Sequence, residues 1–354
     1  MKKPTKRLVA ALLAVASLLV LVACSGGKPE QPANKELSVY TAFPESEVIY
    51  YFNKFEEETG IKINYVRLSA GEMLTRVEAE KDNPQATLMV GGSTDNYIAA
   101  VDKGLLEAYQ SPNLDKTPAT YLDPTGTWNP IYVGCIAFAC NADWFAEKGL
   151  AYPTSWDDLL KPEFKGEIIM AHPATSGTAY TVLATLVQLK GADQVWDYLD
   201  KLNVNMSQYT KSGSGPSKNV GTGECVIGIG FLHDGITQII DNGYDNVQLV
   251  IPSSGTSFEI GATAIFKGAK HPNAAKLWVE YALSPECVEL AAKNGSYQFL
   301  VIDNAQQPEQ AAEFGLDPEN VMDYDFEDAK NNIKTYVEEV MNALGGGDDR
   351  FKTE

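Results

Sequence analysis

The sequence has few basic residues for its length, and this shortage limits the partners it can bind. Its 354 residues include 28 lysines and arginines against 47 aspartates and glutamates, so the formal net charge at pH 7 is −19. Such a surface repels nucleic acids and anionic lipid head groups. We therefore expect no nucleic-acid partner. An anionic ligand would have to be bound by backbone dipoles, hydroxyl groups or a few placed cations.

The familiar motifs of nucleotide binding and hydrolysis are also missing. The glycine-rich stretch from 208 to 235 reads QYTKSGSGPSKNVGTGECVIGIGFLHDG, but Ile229 stands where a P-loop needs its lysine. No GxGxxG follows a predicted strand, and neither GxSxG nor HExxH occurs. We therefore predict no enzymatic activity and no cofactor. A secreted hydrolase of phosphate esters, with His233 as general acid or base, is the alternative in another class.

Cysteine is scarce and shows no metal-binding pattern. The five cysteines contain no CxxC pair. Cys135 and Cys140 lie five residues apart in an apolar run, which places them on opposite faces of a strand and argues against a bond between them. We expect these two, Cys225 and Cys287 to be small buried residues, and we predict no metal site.

A long apolar run occurs near the N-terminus. Four basic residues precede the stretch from Leu8 to Val22, which is interrupted only by Ser17. This layout is typical of a secretory signal, and the run is shorter than the roughly 20 residues that a membrane-spanning helix needs. It ends at LVAC, which resembles the lipobox of bacterial lipoproteins. The resemblance implies that residues 1–23 are removed and that a lipid on Cys24 anchors the protein outside the cytoplasm. Residues 24–35 are predicted to be a flexible tether.

Strand and helix patterns alternate through the rest of the chain. Leu37-Ser-Val-Tyr-Thr41 alternates like a strand, and apolar residues then recur at helical spacing until Gly60. Further apolar strands are expected at IYVGCIAFACN, GEIIMA and CVIGIGF, with helices between them. The alternation predicts an α/β fold with helices on both faces of the sheet. About 320 residues suggest two domains, at a prior of about 150 residues each.

Four loops rich in Gly, Ser and Thr follow predicted strands and precede predicted helices. They lie at residues 68–71, 91–94, 174–181 and 212–216. Ligands of α/β domains bind beyond the carboxyl ends of the strands, and free N–H groups at helix starts bind anions. Helix capping explains one such loop on its own. Four loops, two in each half of the chain, suggest a cleft between two domains.

Acidic residues and a histidine stand near the same predicted cleft. His233 and Asp234 follow the strand CVIGIGF, and Glu259 is the one charged residue in SSGTSFEIGA. These side chains can accept hydrogen bonds from ligand hydroxyls and would also favour an amine. A solvated turn with a capping Asp234 is the alternative.

Four blocks of the chain together resemble a known family. They are VYTAFPESEVIYYFNKFEEETGIKI, AHPATSGTAYT, the glycine-rich stretch and HPNAAKLWVEYALSPE. Their order is similar to that in ABC-transporter solute-binding proteins of the ferric-iron and organic-phosphate group, which have a type II periplasmic-binding fold. The resemblance implies two α/β lobes, formed by residues 36–132 with 262–354 and by residues 133–261, joined by two crossing segments and closing on a ligand.

The resemblance is strongest to hexose-phosphate-binding members. Ferric-binding members carry adjacent tyrosines where this chain has His233 and Asp234, which argues against iron. The resemblance implies that phosphate is held near Thr41, Ser69, Ser93 and Ser176 to Thr178, and that His233, Asp234 and Glu259 contact the sugar. The full set of predicted ligand-binding residues is Thr41, Ser69, Gly71, Ser93, Ser176, Gly177, Thr178, Ser212, Ser214, His233, Asp234 and Glu259.

These observations predict a monomeric lipoprotein that passes a hexose phosphate to ABC permease subunits. Arg67 and Lys211 flank two of the loops and could assist. Ferric iron, an aminophosphonate and a polyamine are the alternative ligands within the same fold. A sensor that docks on a membrane receptor is the alternative to an importer.

Overall fold

The computed structural model describes residues 35–313, 322–344 and 349–351. The predicted signal sequence, Cys24 and nearly all of the predicted tether lie outside the described residues, so these assignments stay predictions. Within the described part of the chain, no helix is both long and apolar enough to span a membrane.

Eleven strands form one open sheet in the described residues. They are β1 (Glu36–Thr41), β2 (Lys62–Arg67), β3 (Leu88–Ser93), β4 (Leu106–Glu107), β5 (Trp128–Asn141), β6 (Ile168–Ala171), β7 (Met206–Thr210), β8 (Ile227–Phe231), β9 (Val247–Val250), β10 (Phe258–Phe266) and β11 (Phe299–Leu300). The main path runs β2-β1-β3-β10-β5-β8-β6-β7. Strand β4 pairs with β10, and β9 and β11 pair with β5.

Helices pack against this sheet. They are α1 (Glu45–Thr59), α2 (Ala70–Ala79), α3 (Thr94–Asp102), α4 (Ala142–Lys148), α5 (Gly177–Lys190), α6 (Ala192–Asn205), α7 (Gly215–Gly221), α8 (Leu232–Ile240), α9 (Pro272–Ala282), α10 (Pro285–Val288), α11 (Leu290–Lys293), α12 (Glu309–Glu313) and α13 (Phe326–Leu344). Short 3-10 helices lie at Pro112–Leu114, Ala119–Tyr121, Asp157–Leu160, Pro162–Phe164 and Asp349–Phe351. The segment SWDDLL, predicted to be a helix, thus forms only a 3-10 turn.

Strand β5 joins two groups of strands. Its first half, from Trp128 to Cys135, pairs with β10, and its second half, from Ile136 to Cys140, pairs with β8. Each group contains parallel pairs, β1 with β2 and β3 on one side and β6 with β7 and β8 on the other. All residues of β5 except the last are buried, as expected for a strand covered on both faces. This is the predicted mixed α/β, two-lobe architecture.

The amphipathic pattern of the first helix places its apolar face in the core. Val48, Phe52 and Phe55 of α1 are buried, and both phenylalanines contact the Trp278 ring at centroid distances of 5.0 and 5.4 Å. Burial of each such aromatic ring contributes on the order of 2 to 3 kcal/mol. The predicted buried cysteines are confirmed, since Cys135, Cys140, Cys225 and Cys287 are buried and unbridged.

The last helix contacts both groups of strands through their helices. Helix α13 lies against α3, α5 and α6. The hydroxyl of Tyr180 in α5 donates to the backbone oxygen of Ala329 in α13. Beyond α13, the ring of Phe351 contacts that of His172 at a centroid distance of 4.4 Å and an angle of 39°. The predicted assignment of residues 262–354 to one lobe therefore includes a helix that packs on both. The lobe boundaries stay a prediction.

Candidate functional site

A cavity of about 530 Å³ is lined by residues of both strand groups. The predicted loops reach it because β2, β3, β6 and β7 end at its wall. Ten of the twelve predicted ligand-binding residues line it, namely Ser69, Ser93, Ser176, Gly177, Thr178, Ser212, Ser214, His233, Asp234 and Glu259.

Thr41 and Gly71 do not line this cavity. Thr41 is fully buried at the end of β1, and its hydroxyl oxygen accepts a hydrogen bond of 3.2 Å from the backbone N–H of Phe43. Gly71 lies in the first turn of α2, where an added Cβ would stand 3.9 Å from the backbone oxygen of Ala174. Both residues shape segments next to the cavity instead of contacting its interior.

Serines cap two of the helices that begin at the cavity. Ser69 forms a capping box with Glu72 at the start of α2, and the Ser176 hydroxyl accepts 3.4 Å from the backbone N–H of Ala179 in α5. Ser93 precedes α3 but makes no side-chain cap, and its hydroxyl instead accepts from the Asn96 side chain at 3.2 Å. The first-turn N–H groups of α3 are therefore not satisfied by their cap residue.

Glycines allow these helix starts to approach one another closely. A Cβ added to Gly177 would stand 2.9 Å from the Ser93 hydroxyl and 3.0 Å from the Ala70 methyl. A Cβ added to Gly213 would overlap the Thr178 hydroxyl at 2.0 Å. The consequence is a small region in which hydroxyls and the starts of α2, α3 and α5 converge, and their dipoles favour an anion there.

A few cations lie near this region. The guanidinium of Arg67 donates to the hydroxyl of Ser212 at 3.2 Å, and Arg67, Lys218 and Lys293 line the cavity. Lys211 pairs with Glu72 at 2.9 Å in an exposed position outside the cavity lining. Both contacts join the β2–α2 segment to the β7–α7 segment, which come from different strand groups.

Three carboxyl groups line another part of the cavity. Glu47 and Glu259 are 3% and 4% exposed, and Asp234 is half-buried. Burial raises the pKa of Glu47 and of Asp234 to about 7 and holds the pKa of Glu259 well above its usual range. The negative charge of Asp234 raises the pKa of the other two further, whereas the positive charge of Arg67 opposes the rise in the pKa of Asp234.

Tyrosine hydroxyls orient two of these carboxyl groups. The Tyr51 hydroxyl donates to Glu47 at 2.7 Å, and the Tyr132 hydroxyl donates to Glu259 at 2.9 Å. These hydrogen bonds oppose the rise in pKa that burial causes. Ser296 and Gln298 also hydrogen bond to Glu47. Carboxyl oxygens accept hydrogen bonds, so this end of the cavity is rich in acceptors.

His233 stands beside the carboxyl groups with a fixed ring. It stacks on Phe231 at a centroid distance of 5.3 Å and meets the Tyr132 ring edge-on at 5.9 Å. Burial lowers its pKa to about 3, so the imidazole is neutral at physiological pH. Its Nδ1 atom is buried without a hydrogen-bond partner and faces Gly134, where a Cβ would stand only 2.5 Å away.

Sequence reasoning missed several residues that line the cavity. The cavity is also lined by Glu47, Tyr132, Ser296, Gln298 and the half-exposed Tyr50. Glu47 could have been found, because it lies one turn before Tyr51 on the buried face of α1, where an acidic residue is unusual. Tyr132 could not have been recognised in this way, because in the sequence it is one of several apolar residues of β5.

A cavity between two α/β lobes, lined by helix starts and buried acids, is the architecture of a solute-binding protein. The model of the family described as bacterial extracellular solute-binding protein matches residues 93–332, and the chain belongs to this family. The protein is thus an extracellular solute-binding protein of the ABC-importer type, as the resemblance predicted. Such relatives bind solutes and are not enzymes.

Three similar proteins illustrate the relationship. An uncharacterized protein of Haemophilus influenzae is 40% identical over 298 residues, covering 81% of this chain and 85% of its own length. The structure of the periplasmic binding protein AfuA from Actinobacillus pleuropneumoniae, bound to fructose 6-phosphate, is 36% identical with a TM-score of 0.83, covering 89% of this chain and 100% of its own. The periplasmic binding protein P5PA is 32% identical with a TM-score of 0.80, covering 87% and 100%.

Proposed function

We propose that the protein captures a hexose phosphate outside the cytoplasm and delivers it to the permease subunits of an ABC importer. The observation that carries this proposal is the division of one cavity into a region of helix starts and hydroxyls and a region of buried acceptors. The similarity to AfuA, whose structure holds fructose 6-phosphate, supports the same ligand class.

The phosphate would lie where α2, α3 and α5 begin. Ser93, Ser176 and Thr178 offer hydroxyl donors, and Gly177 leaves room for close approach. Ser69 lines the same region, but its hydroxyl donates to Glu72 at 3.0 Å. Backbone N–H groups at helix starts bind phosphate without a cluster of basic residues, which suits a chain of net charge −19. Arg67 would supply one nearby positive charge.

The sugar would lie against His233, Asp234 and Glu259. Sugar hydroxyls are donors as well as acceptors, and the carboxyl groups can accept from them. The neutral imidazole can donate to or accept from a hydroxyl. Since an unpaired buried polar group costs about 1 to 3 kcal/mol, a ligand lacking hydroxyls at this end would bind much more weakly.

The membrane attachment and the assembly state belong to the same proposal. The lipobox at Cys24 would anchor the protein by a lipid, and residues 24–35 would let the folded part reach the permease. We propose a monomer, because the cavity is complete within one chain.

A thermal-melt panel tests this proposal. The purified, metal-free protein is melted alone and with glucose 6-phosphate, fructose 6-phosphate, glucose, inorganic phosphate, an aminophosphonate, ferric citrate and spermidine. A ligand at 100 times its Kd adds about 2.7 kcal/mol, which raises the Tm by several degrees. A shift with sugar phosphates that glucose and phosphate separately do not produce supports the proposal. A shift only with iron or spermidine would refute it.

A further inference from the structure

We infer that Asn96 is a positioning residue, which turns the hydroxyl hydrogen of Ser93 toward the phosphate of the ligand. Asn96 contacts Ser93 but does not line the cavity, so its effect on the ligand is indirect. Ser93 thereby becomes a hydroxyl donor to the phosphate, whereas Ser69, in the corresponding place before α2, does not. This inference rests on the proposed function and adds the direction of one hydrogen bond to it.

Helices α2 and α3 both begin after a serine, and the side chains that pair with the two serines differ in chemistry. Ser69 precedes α2, and the residue three positions later is Glu72. Ser93 precedes α3, and the residue three positions later is Asn96. A carboxylate can only accept hydrogen bonds, whereas the NH2 group of a side-chain amide can only donate them. The same spacing therefore leaves the two hydroxyls in opposite states.

The hydrogen of the Ser69 hydroxyl is used within the protein. This hydroxyl donates to the Glu72 carboxylate at 3.0 Å, and its oxygen accepts from the backbone N–H of Glu72 at 3.4 Å. Because a hydroxyl has one hydrogen, Ser69 can offer a ligand only a remaining lone pair. Phosphate oxygens also present lone pairs, so this contact would not attract a phosphate.

The Ser93 hydroxyl is paired in the opposite sense. Its oxygen accepts from Nδ2 of Asn96 at 3.2 Å, and it donates to no protein atom in the part of the chain that the structure describes. Since the amide nitrogen occupies one side of the oxygen, the hydroxyl hydrogen must turn to another acceptor. A hydroxyl that accepts a hydrogen bond is also a stronger donor, because the two bonds polarise each other.

The position of the Ser93 hydroxyl makes the phosphate its natural acceptor. Ser93 and Asn96 are almost fully buried, so neither side chain can rotate into solvent. Ser93 lines the cavity where α5 begins, since a Cβ added to Gly177 would stand 2.9 Å from its hydroxyl oxygen and 3.7 Å from Nδ2 of Asn96. The starts of α2, α3 and α5 favour an anion in this region. A donor whose direction is already fixed loses no rotational freedom when the ligand binds, which strengthens binding.

A double-mutant cycle with glucose 6-phosphate, measured by isothermal titration calorimetry, tests the inference. Ser93→Ala removes the donor. Asn96→Asp keeps the shape of the side chain but replaces the amide donor with an acceptor, which draws the Ser93 hydrogen to itself. We expect Ser93→Ala to weaken binding about tenfold or more in the wild-type protein but no more than about twofold in the Asn96→Asp protein. The charge added by Asn96→Asp repels the phosphate with or without the Ser93 hydroxyl, so it cancels in the cycle.

The possible results separate this inference from the proposed function. Equal losses from Ser93→Ala in the two proteins would overturn the role of Asn96 and leave the hexose-phosphate function intact. Failure of the wild-type protein to bind either glucose 6-phosphate or fructose 6-phosphate would overturn both.

Asn205→Asp is the matched control for the substitution at Asn96. Asn205 is also buried, and its amide donates to the backbone oxygens of Leu159 and Lys161 at 2.7 and 2.9 Å, but it does not line the cavity. We expect this variant to have a lower Tm and an unchanged affinity for glucose 6-phosphate. A loss of affinity equal to that of Asn96→Asp would attribute the effect to lower stability and overturn the role of Asn96.

A comparison of two serine variants tests the same polarity without a change at Asn96, and it applies even if Asn96→Asp does not fold. We expect Ser93→Ala to weaken the binding of glucose 6-phosphate at least about fivefold more than Ser69→Ala does, because only the Ser93 hydroxyl has its hydrogen available. Equal losses in the two variants would overturn the inference.

Discussion

Gly134→Ala should impair ligand binding by pushing His233 out of position. The new Cβ would stand 2.5 Å from Nδ1 and 2.6 Å from Cε1 of the imidazole, whereas ordinary contacts lie at 3.4 to 4 Å. The ring must move by about 1 Å. It cannot slide freely, because Phe231 stacks on one face and the Tyr132 ring meets it edge-on. Relief of such overpacking costs about 1 to 3 kcal/mol.

The displacement should affect affinity as well as stability. If His233 no longer pairs with a ligand hydroxyl, the loss of about 1 to 3 kcal/mol lowers the affinity for glucose 6-phosphate roughly tenfold to a hundredfold. Titration calorimetry measures the affinity, and thermal melts of the free protein should show a Tm lower by a few degrees. Wild-type affinity in Gly134→Ala would refute the placement of His233 against the ligand.

Gly221→Ala is the matched control for this experiment. Its new Cβ would overlap the ring of Tyr244 at 2.3 Å, an equally close contact with an aromatic side chain, but neither residue lines the cavity. We expect a lower Tm with unchanged affinity. A similar loss of affinity in both variants would show that the effect of Gly134→Ala is a general loss of stability.

Two further predictions concern charge. Burial raises the pKa of Asp95 from the ordinary 3.8 to about 7, and its Oδ1 atom has no hydrogen-bond partner. The folded protein therefore holds a proton on Asp95 more tightly than the unfolded chain does. The stability that this proton contributes is lost as the pH rises from about 4 to 7. In urea unfolding, Asp95→Asn should therefore be more stable than the wild-type protein by about a few kcal/mol at pH 8, and this gain should vanish near pH 4. A variant less stable than wild type at pH 8 would mean that the ionised carboxylate is paired. In titration calorimetry, Arg67→Ala should weaken sugar-phosphate binding about tenfold or more and reduce the salt dependence of the affinity. An unchanged salt dependence would place the phosphate away from Arg67.

The order of elements and most of the cavity lining could be predicted from the sequence. The loops at Ser69, Ser93 and Ser176 follow predicted strands, and parallel strands place such loops at one edge of the sheet whatever their side chains contact. The strand before Ser212, β7, was not predicted. This rule is local to each strand group, so it needs no knowledge of how the groups pack. It correctly brought ten of the twelve predicted residues to one cavity.

What the sequence could not provide are contacts that depend on the packing of distant segments. Gly213 lies close to Thr178, and Gly134 lies close to His233. The residues of each pair are far apart in the sequence, and no periodic pattern relates them. The position of Thr41 outside the cavity lining depends on a local contact, because its hydroxyl accepts from the Phe43 N–H. Such a contact is decided by local backbone geometry, which spacing alone does not define.

The proposed capture of a phosphate by a chain of net charge −19 depends on the distance between the charges and the ligand. Exposed charges are screened over about 8 Å at physiological ionic strength, so the distant acidic surface contributes little inside the cavity. Helix starts at contact distance would act on a phosphate directly. The carboxyl groups of Glu47 and Glu259 are different, because they are buried in the same cavity and are screened less. The overall charge is therefore no obstacle to the proposed phosphate at one end of the cavity, whereas the buried carboxyl groups would act directly on the part of the ligand at the other end.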